Sequence, residues 1–436
     1  MQKTQQKLWR ETYLKTLKKT FIMIILTLIC VILIDNYNRA KDEQKLEKKK
    51  EDGKIDISEP DEKEDKPDEP SYYVTLLALG QNYMNDSVIH SGQREDGSSN
   101  YDFLFEGVKE KLDSADISAM CIGSVIGGNN LSVSGYPTFN SPEEFCDATI
   151  AAGIDAVAMA NVRINNMGSD AISSCIDIWK SKSETTGQSD SIRVLGIRAS
   201  QEESFVNIIE VNGLKIALLD YTAIVTEAIS NEEAYKINFF GDYANGSANL
   251  EKLSENTLAQ INEACNTADF VVAFASWGLE NTHDITATQE RFAKQLTEAG
   301  VDLIIGNRPN YLQKVEWITS ENGNRALCYY SLGNFTSSEN TTDGLLGGMA
   351  KVGIKVDQGL TVIDEENTGL IPVVTHYTYS GLGDEVDVKG TLPLALYTEE
   401  MAAEHGIKSK YGVAFSRETL LSLVNNTVDA GWILEQ

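Results

Sequence analysis

The stretch VDLIIGNRPNYLQKVEW, residues 301–317, decides how the rest of the chain is read. A helical segment, RFAKQLTEAG, runs into it and stops at Gly300. The apolar run that follows reads as a buried strand, and GNRPN at its carboxyl end reads as a turn. In α/β proteins that end of a strand usually carries the chemistry. Working outward, the same unit occurs twice. AAGIDAVAMAN (151–161) and EAGVDLIIGN (298–307) both run helix, glycine, Ile or Val, Asp, buried strand, terminal Asn.

Other apolar runs read as strands: YYVTLLALG (72–80), DISAMCIG (116–123), RVLGI (193–197), ADFVVAFASWG (268–278), NRALCYYSLGNF (324–335), GGMAKVGIKVD (347–357) and PVVTHYTY (372–379). The spacing predicts helices over 100–115, 141–153, 169–182, 248–267, 286–299 and 417–428, with Ser141 as an N-cap and Pro142 in the first turn. Asn212-Gly213 marks a hairpin within 205–222. Strands alternating with helices, interrupted by hairpins, indicate an α/β (mixed α+β) fold: a layered sandwich of mixed β-sheets flanked by helices. The folded part divides into a main domain at 72–357 and a C-terminal lobe, 358–436, packed on it.

The formal net charge of −28 over 436 residues excludes nucleic acid as the expected partner, because phosphate backbones are bound through displaced counterions on basic surfaces. Six cysteines without a C-x-x-C pair exclude a disulfide framework and a structural zinc. Cys146, Cys175 and Cys265 fall on helical patterns and read as small core residues. Four histidines, His90, His283, His376 and His405, stand too far apart for an H-E-x-x-H or H-x-H metal signature.

The N-terminus reads as an anchor. Residues 1–20 carry Lys3, Lys7, Arg10, Lys15, Lys18 and Lys19 against Glu11, and an apolar core follows from Phe21 to Ile34. Basic residues before the apolar run put the N-terminus in the cytoplasm and the rest outside. No small-x-small cleavage site follows Ile34, which favours an uncleaved transmembrane segment at 21–35 over a cleaved signal peptide. Residues 36–71 are nearly all charged, polar or proline, a disordered tether. The expected location is therefore the cell membrane, single-pass, with the main domain extracellular.

Six strand ends are rich in Gly and Asn: GQNYMND (80–86), CIGSVIGG (121–128), ANVRINNMG (160–168), ASWGLENTHD (275–284), GNRPN (306–310) and YSLGNF (330–335). Each alone is ordinary turn chemistry. As a set, together with VTLLALGQNYMNDSVIHSG, GYPTFNSP and YTEEMAAEHGI, they resemble the bacterial capsule-synthesis proteins of the poly-γ-glutamate type, the CapA family. The resemblance runs from about Tyr73 to the C-terminus. It implies a fold related to calcineurin-type metallophosphoesterases, a role in capsule or poly-γ-glutamate biosynthesis, and membrane synthase subunits as partners.

The resemblance also implies a ligand set that this chain does not carry. Where such proteins have an Asp and a His after the first strand, Gln81 and Asn85 stand here. Where an Asn and a Glu follow the second, Cys121 and Gly123 stand. At the third end Asn161 matches, but Val162, Arg163 and Asn166 take the other places. A His before Trp-Gly is Ser276, and Gly-x-His-Pro-His is Gly306, Asn307, Arg308, Pro309, Asn310. A two-metal centre needs carboxylates and imidazoles converging on its ions. A fixed guanidinium placed about 4 Å from a divalent cation is repelled by several kcal/mol at an effective dielectric near 20. No metal cofactor is expected. The expected site is an anion pocket formed by Gln81, Asn85, Asn161, Arg163, Ser276, Asn307, Arg308, Asn310 and Asn334, taking an anionic polymer such as poly-γ-glutamate without catalysis, as a degenerate metallophosphoesterase-like protein. The competing readings are a hydrolase of phosphoesters or polymer, for which a Ser276–His283 pair is conceivable, and a surface interaction module. Alternatively, Arg163 and Arg308 pair with local acids such as Glu280 or Asp302 and fill space.

Overall fold

The computed structural model describes residues 72–185 and 192–434. The basic segment 1–20, the anchor at 21–35 and the tether at 36–71 lie outside the described residues. Among the described residues no helix is long and apolar enough to cross a membrane.

The strands are β1 (Tyr73–Asn82), β2 (Ile117–Ile122), β3 (Ala156–Ala158), β4 (Arg193–Leu195), β5 (Asn207–Val211), β6 (Leu214–Thr222), β7 (Tyr243–Ala244), β8 (Ser247–Ala248), β9 (Phe270–Ser276), β10 (Leu303–Asn307), β11 (Val315–Thr319), β12 (Arg325–Tyr329), β13 (Asn334–Thr336), β14 (Leu346–Asp357), β15 (Leu360–Thr378) and β16 (Asp387–Pro393). They form an eight-stranded sheet in the order β16-β15-β14-β1-β2-β3-β4, with β13 beside β1, and a six-stranded sheet in the order β11-β12-β10-β9-β6-β5. Both sheets are mixed. β1, β2, β3 and β4 run parallel, as do β6, β9, β10 and β12, while β14, β15, β16, β5 and β11 pair antiparallel. The chain from 358 onward continues the larger sheet through β15 and β16.

One apolar cluster spans both sheets and includes Leu76, Ala78 and Ala119 of the first and Leu218, Val272, Phe274 and Ile305 of the second. The outer face of the second sheet is covered by α5 (Glu255–Thr267) and α6 (Ala287–Ala299), which bury Ile261, Phe292 and Leu296. The preceding helices are α1 (Asp86–Gly92), α2 (Lys109–Asp113), α3 (Glu144–Ala151) and α4 (Ser169–Thr185). Phe145 of α3 and Trp179 of α4 pack into the first cluster. The mixed α/β architecture read from the sequence is present.

A recurrent aspartate explains the register of the parallel strands. Asp155 donates its N–H to Ser118 O at 2.9 Å and accepts the Ser118 N–H on Oδ2 at 2.7 Å. Asp302 does the same to Val271 at 3.0 and 2.8 Å. Asp116 and Asp269 treat Thr75 and Lys215 alike. Each latch sits where a strand begins and fixes it on its parallel neighbour, giving the edge N–H a charged acceptor. In both repeated units the glycine before the latch has a positive φ, +88° at Gly153 and +110° at Gly300, as a helix C-terminus requires.

Several expectations need correction. Residues 100–115 form two short 3₁₀ turns and α2 rather than one helix. The buried residues keep helical spacing, but the chain at Gly107 lies so close to β16 that a Cβ would come within 2.3 Å of Thr391 O. Ser141 is not an N-cap: its hydroxyl lies 2.5 Å from Ser124 Oγ, and α3 begins at Glu144 after Glu143. The helix read at 248–267 begins only at Glu255, where Ser254 Oγ accepts the Thr257 N–H. Of the residues before it Ala248 belongs to the β7–β8 hairpin, turned at Asn245-Gly246, both at positive φ, and 249–254 are irregular. Cys265 is exposed, whereas Cys146 and Cys175 are buried.

Candidate functional site at the strand ends

The carboxyl ends of β1, β3, β9 and β10 meet across the two sheets. Gln81 Nε2 donates to Asn310 Oδ1 at 3.4 Å, and the Asn334 N–H donates to Asn310 O at 3.2 Å. Asn307 lies opposite Ser276 in the ladder, and the Trp277 N–H donates to Asn307 O at 3.3 Å.

Arg163 is placed by Asn161. The Asn161 amide donates to Ser124 O and Met159 O, while its Oδ1 accepts the Arg163 N–H at 2.8 Å. From the other sheet's loops the Thr226 N–H fixes Val162 O at 2.7 Å. The guanidinium then lies 5.1 Å from the Tyr83 ring centroid and 4.8 Å from that of Phe139, both within cation–π range. Arg163 is 7% exposed. Its Nη2 meets Glu280 Oε1 at 3.1 Å and its buried Nη1 has no partner.

Arg308 is held by a strained turn. Its φ is +88°, and Asn310, two residues on, is at +62°. Such values are uncommon for side-chain-bearing residues, and strain of this kind concentrates where function over-determines the backbone. The Asn281 N–H donates to Pro309 O at 2.8 Å, and Asn310 Nδ2 donates to Asn281 Oδ1 at 3.0 Å. Gly306 is required here, because a Cβ would come within 2.0 Å of Tyr330 O. Burial lowers the Arg308 pKa; Arg163 lowers it further, and Glu280 opposes both. Burial and then Glu280 push the Glu339 carboxyl above its ordinary range, against the pull of Arg163.

Among the expected residues, Gln81, Asn161 and Asn310 spend their side chains on the framework. Arg163 Nη1, Arg308 Nε, Ser276 Oγ, Asn85 Oδ1 and Asn334 Oδ1 are buried without partners. Asn82, which the sequence reading did not single out, adds both amide atoms to that set. Among the described residues seven of the thirteen such atoms fall on these strand-end residues, and buried polar groups without partners are uncommon in folded proteins. Asn307 bonds the Cys121 thiol, which burial pushes well above its ordinary pKa, so Cys121 is no nucleophile.

The two acids offered as arginine partners part company. Glu280 pairs with Arg163, whereas Asp302 is a latch at the opposite end of its strand. The conceivable Ser276–His283 pair is not formed. His283 Nδ1 lies 2.7 Å from Leu312 O and Nε2 lies 2.7 Å from Asp343 Oδ1, leaving Ser276 without that base. Sequence reasoning also missed Asp220, a carboxyl inside the apolar run KIALLDYT. It is buried between the sheets, accepts the Ala160 N–H at 2.7 Å, and is pushed up to about 8 by burial. A separate cavity of about 910 Å³, lined by His90, Arg94, Tyr379 and Glu385 among others, contains none of these strand-end residues, and His90 there already meets Glu385 at 3.1 Å.

Among the described residues no group of three or more His, Cys, Asp or Glu is placed to hold a metal ion. The residues at the strand ends do not fit a two-metal centre: two are guanidiniums, which only donate, and the amides are weak neutral donors.

These strand ends sit on a chain that belongs to a family of bacterial capsule synthesis proteins, PGA_cap, whose model matches residues 75–339. The chain is 28% identical over 147 residues to the PGA biosynthesis protein CapA of Bacillus subtilis, covering 34% of each chain. It is 25% identical over 233 residues to the capsule biosynthesis protein CapA of Bacillus anthracis, covering 52% of this chain and 50% of that one. The matches thus span about a third and about half of those curated relatives. Among solved structures, the calcineurin-like phosphoesterase YfkN of Bacillus subtilis aligns over 82% of this chain and 97% of that one, with 12% identity and a TM-score of 0.36. The 5'-nucleotidase of Candida albicans aligns over 81% of this chain and 57% of that one, with 9% identity and a TM-score of 0.35. Likeness at that level carries no argument about chemistry.

Proposed function

We propose that this chain serves capsule or poly-γ-glutamate biosynthesis by binding an anionic carboxylate polymer at the strand ends, without a metal and without cleaving it. One observation carries the reading: Arg163, buried, and Arg308, half-buried within electrostatic reach of it, each keep one buried guanidinium nitrogen unpartnered. Guanidinium forks suit carboxylates, and unmatched buried donors gain most from an acceptor. Residues 21–35 anchor the chain, residues 36–71 hold the folded part outside the membrane, and synthase subunits in the same membrane deliver the polymer.

The net charge of −28 opposes a polyanion at long range. Salt screens this beyond roughly 8–10 Å, so affinity has to come from short-range contacts inside the site. Retention of the full chain on immobilised poly-γ-glutamate tests the reading. The Arg163→Met, Arg308→Met double variant is expected to pass through unretained. Equal retention of wild type and variant contradicts it.

A further inference from the structure

The charges at the strand ends are balanced rather than simply positive, and that balance bears on what the site takes. Arg163 is already neutralised by Glu280 at 3.1 Å. Arg308 feels this pair, and so does Glu339. Arg308 keeps Nε unpartnered. Glu339 is held in place: a Cβ on Gly344 would come within 2.7 Å of the Glu339 Cβ, and Tyr377 Oη donates to Glu339 O at 3.1 Å. The central ion pair thus has one extra cation and one extra anion within its field. The unpartnered atoms divide in the same way. Arg163 Nη1, Arg308 Nε and Asn82 Nδ2 need acceptors, whereas Asn82 Oδ1, Asn85 Oδ1 and Asn334 Oδ1 need donors.

A ligand bearing only carboxylates satisfies the first set, leaves the second unmet, and brings its charge towards Glu280 and Glu339. A buried acceptor left without a donor is costly, so the mismatch is not small. A ligand with an ammonium beside its carboxylate meets both sets and sits with the local charges.

We propose that the strand-end site recognises an ammonium and a carboxylate together, the dipolar end of an α-amino acid, with the two arginines taking the carboxylate and Glu339 with the asparagine oxygens taking the ammonium. This rests on the reading of the strand ends as a carboxylate site and deepens it. In a γ-linked glutamate chain every internal residue keeps its α-carboxylate but has its nitrogen in an amide. Only the amino-terminal residue carries both charges, so the site would hold the end of the polymer rather than its length. Free glutamate offers the same chemistry.

The test is titration calorimetry of the full chain at pH 7 with a short γ-glutamyl oligomer, its N-acetylated form and free glutamate. The N-acetylated oligomer is expected to bind at least 10-fold more weakly than the free-amine form, and Glu339→Gln is expected to reduce that preference below about 3-fold. The acetylation arm uses the wild-type chain and does not depend on how the variant folds. Equal binding of both oligomers, still lost in Arg163→Met, Arg308→Met, overturns the dipolar assignment and leaves the carboxylate site standing. Binding of neither oligomer, or binding indifferent to the arginines, overturns both. If the dipolar assignment holds, comparable affinity for glutamate makes a free amino acid the source of the ligand, whereas binding of the oligomer alone makes it the polymer end.

Discussion

Replacing Arg308 by glycine and by alanine separates what its backbone costs from what its side chain does. Both changes delete the guanidinium, so both are expected to weaken polymer binding. They differ in the backbone at φ +88°. An alanine there keeps a left-handed penalty of roughly 1–2 kcal/mol, which glycine escapes. Glycine in turn gives the unfolded chain more freedom, worth roughly 0.5–1 kcal/mol. The balance makes Arg308→Gly more stable than Arg308→Ala by about 0.5–1 kcal/mol, the reverse of the order at an ordinary position. Urea unfolding of both variants at equal slope reads the difference from the midpoints. An alanine variant as stable as the glycine variant, or more so, would refute the claim that the turn stores strain to hold Arg308.

Three further outcomes follow from single side chains. Asp220 is pushed up to about 8, so between about pH 4 and 8 the folded chain holds a proton that the unfolded chain releases, and stability falls as pH rises through that window. Asp220→Asn is expected to remove this slope and to stabilise the chain at pH 7 by roughly 3–4 kcal/mol, read by denaturant unfolding across that range. His405, pushed down to about 3 by burial, accepts the Ile407 N–H on Nδ1 and faces Thr375 O through Nε2. Its contribution has the opposite sign: it is complete above about pH 6.5 and declines on acidification towards 3 by up to about 1.4 kcal/mol per pH unit, a slope that His405→Gln should abolish in acid unfolding curves. Asp155→Ala leaves the Ser118 N–H without its acceptor and should cost about 1–3 kcal/mol in urea unfolding, with Asp155→Asn costing less because an oxygen remains.

Local chemistry made much of this fold legible. The repeated glycine-x-Asp-strand unit was visible as a pattern, and the Asn212-Gly213 hairpin follows from its turn signal. Asn245-Gly246 carried the same signal, but the short strands around it merged with the helical pattern that follows. The arginines were legible because a permanent cation at a strand end is conspicuous. Their surroundings were less so. That Glu280 rather than Asp302 meets Arg163 depends on which end of each strand a residue occupies once two sheets pack, and local spacing does not encode that. Glu339 and Asn82 are inconspicuous in sequence, and only tertiary burial makes the carboxyl of one and the lone amide atoms of the other matter. Asp220 had a signal, a carboxylate within an apolar run, and its meaning appears only when both faces of the strand are covered.

The central claim, that guanidiniums rather than metal ions grip the polymer, is met most directly by titrating the full chain with poly-γ-glutamate, with and without a chelator, in the wild type and in Arg163→Met, Arg308→Met. Saturable binding is expected, unchanged by the chelator and reduced at least 100-fold by the double substitution. Binding that survives the substitution, or that the chelator abolishes, would contradict it.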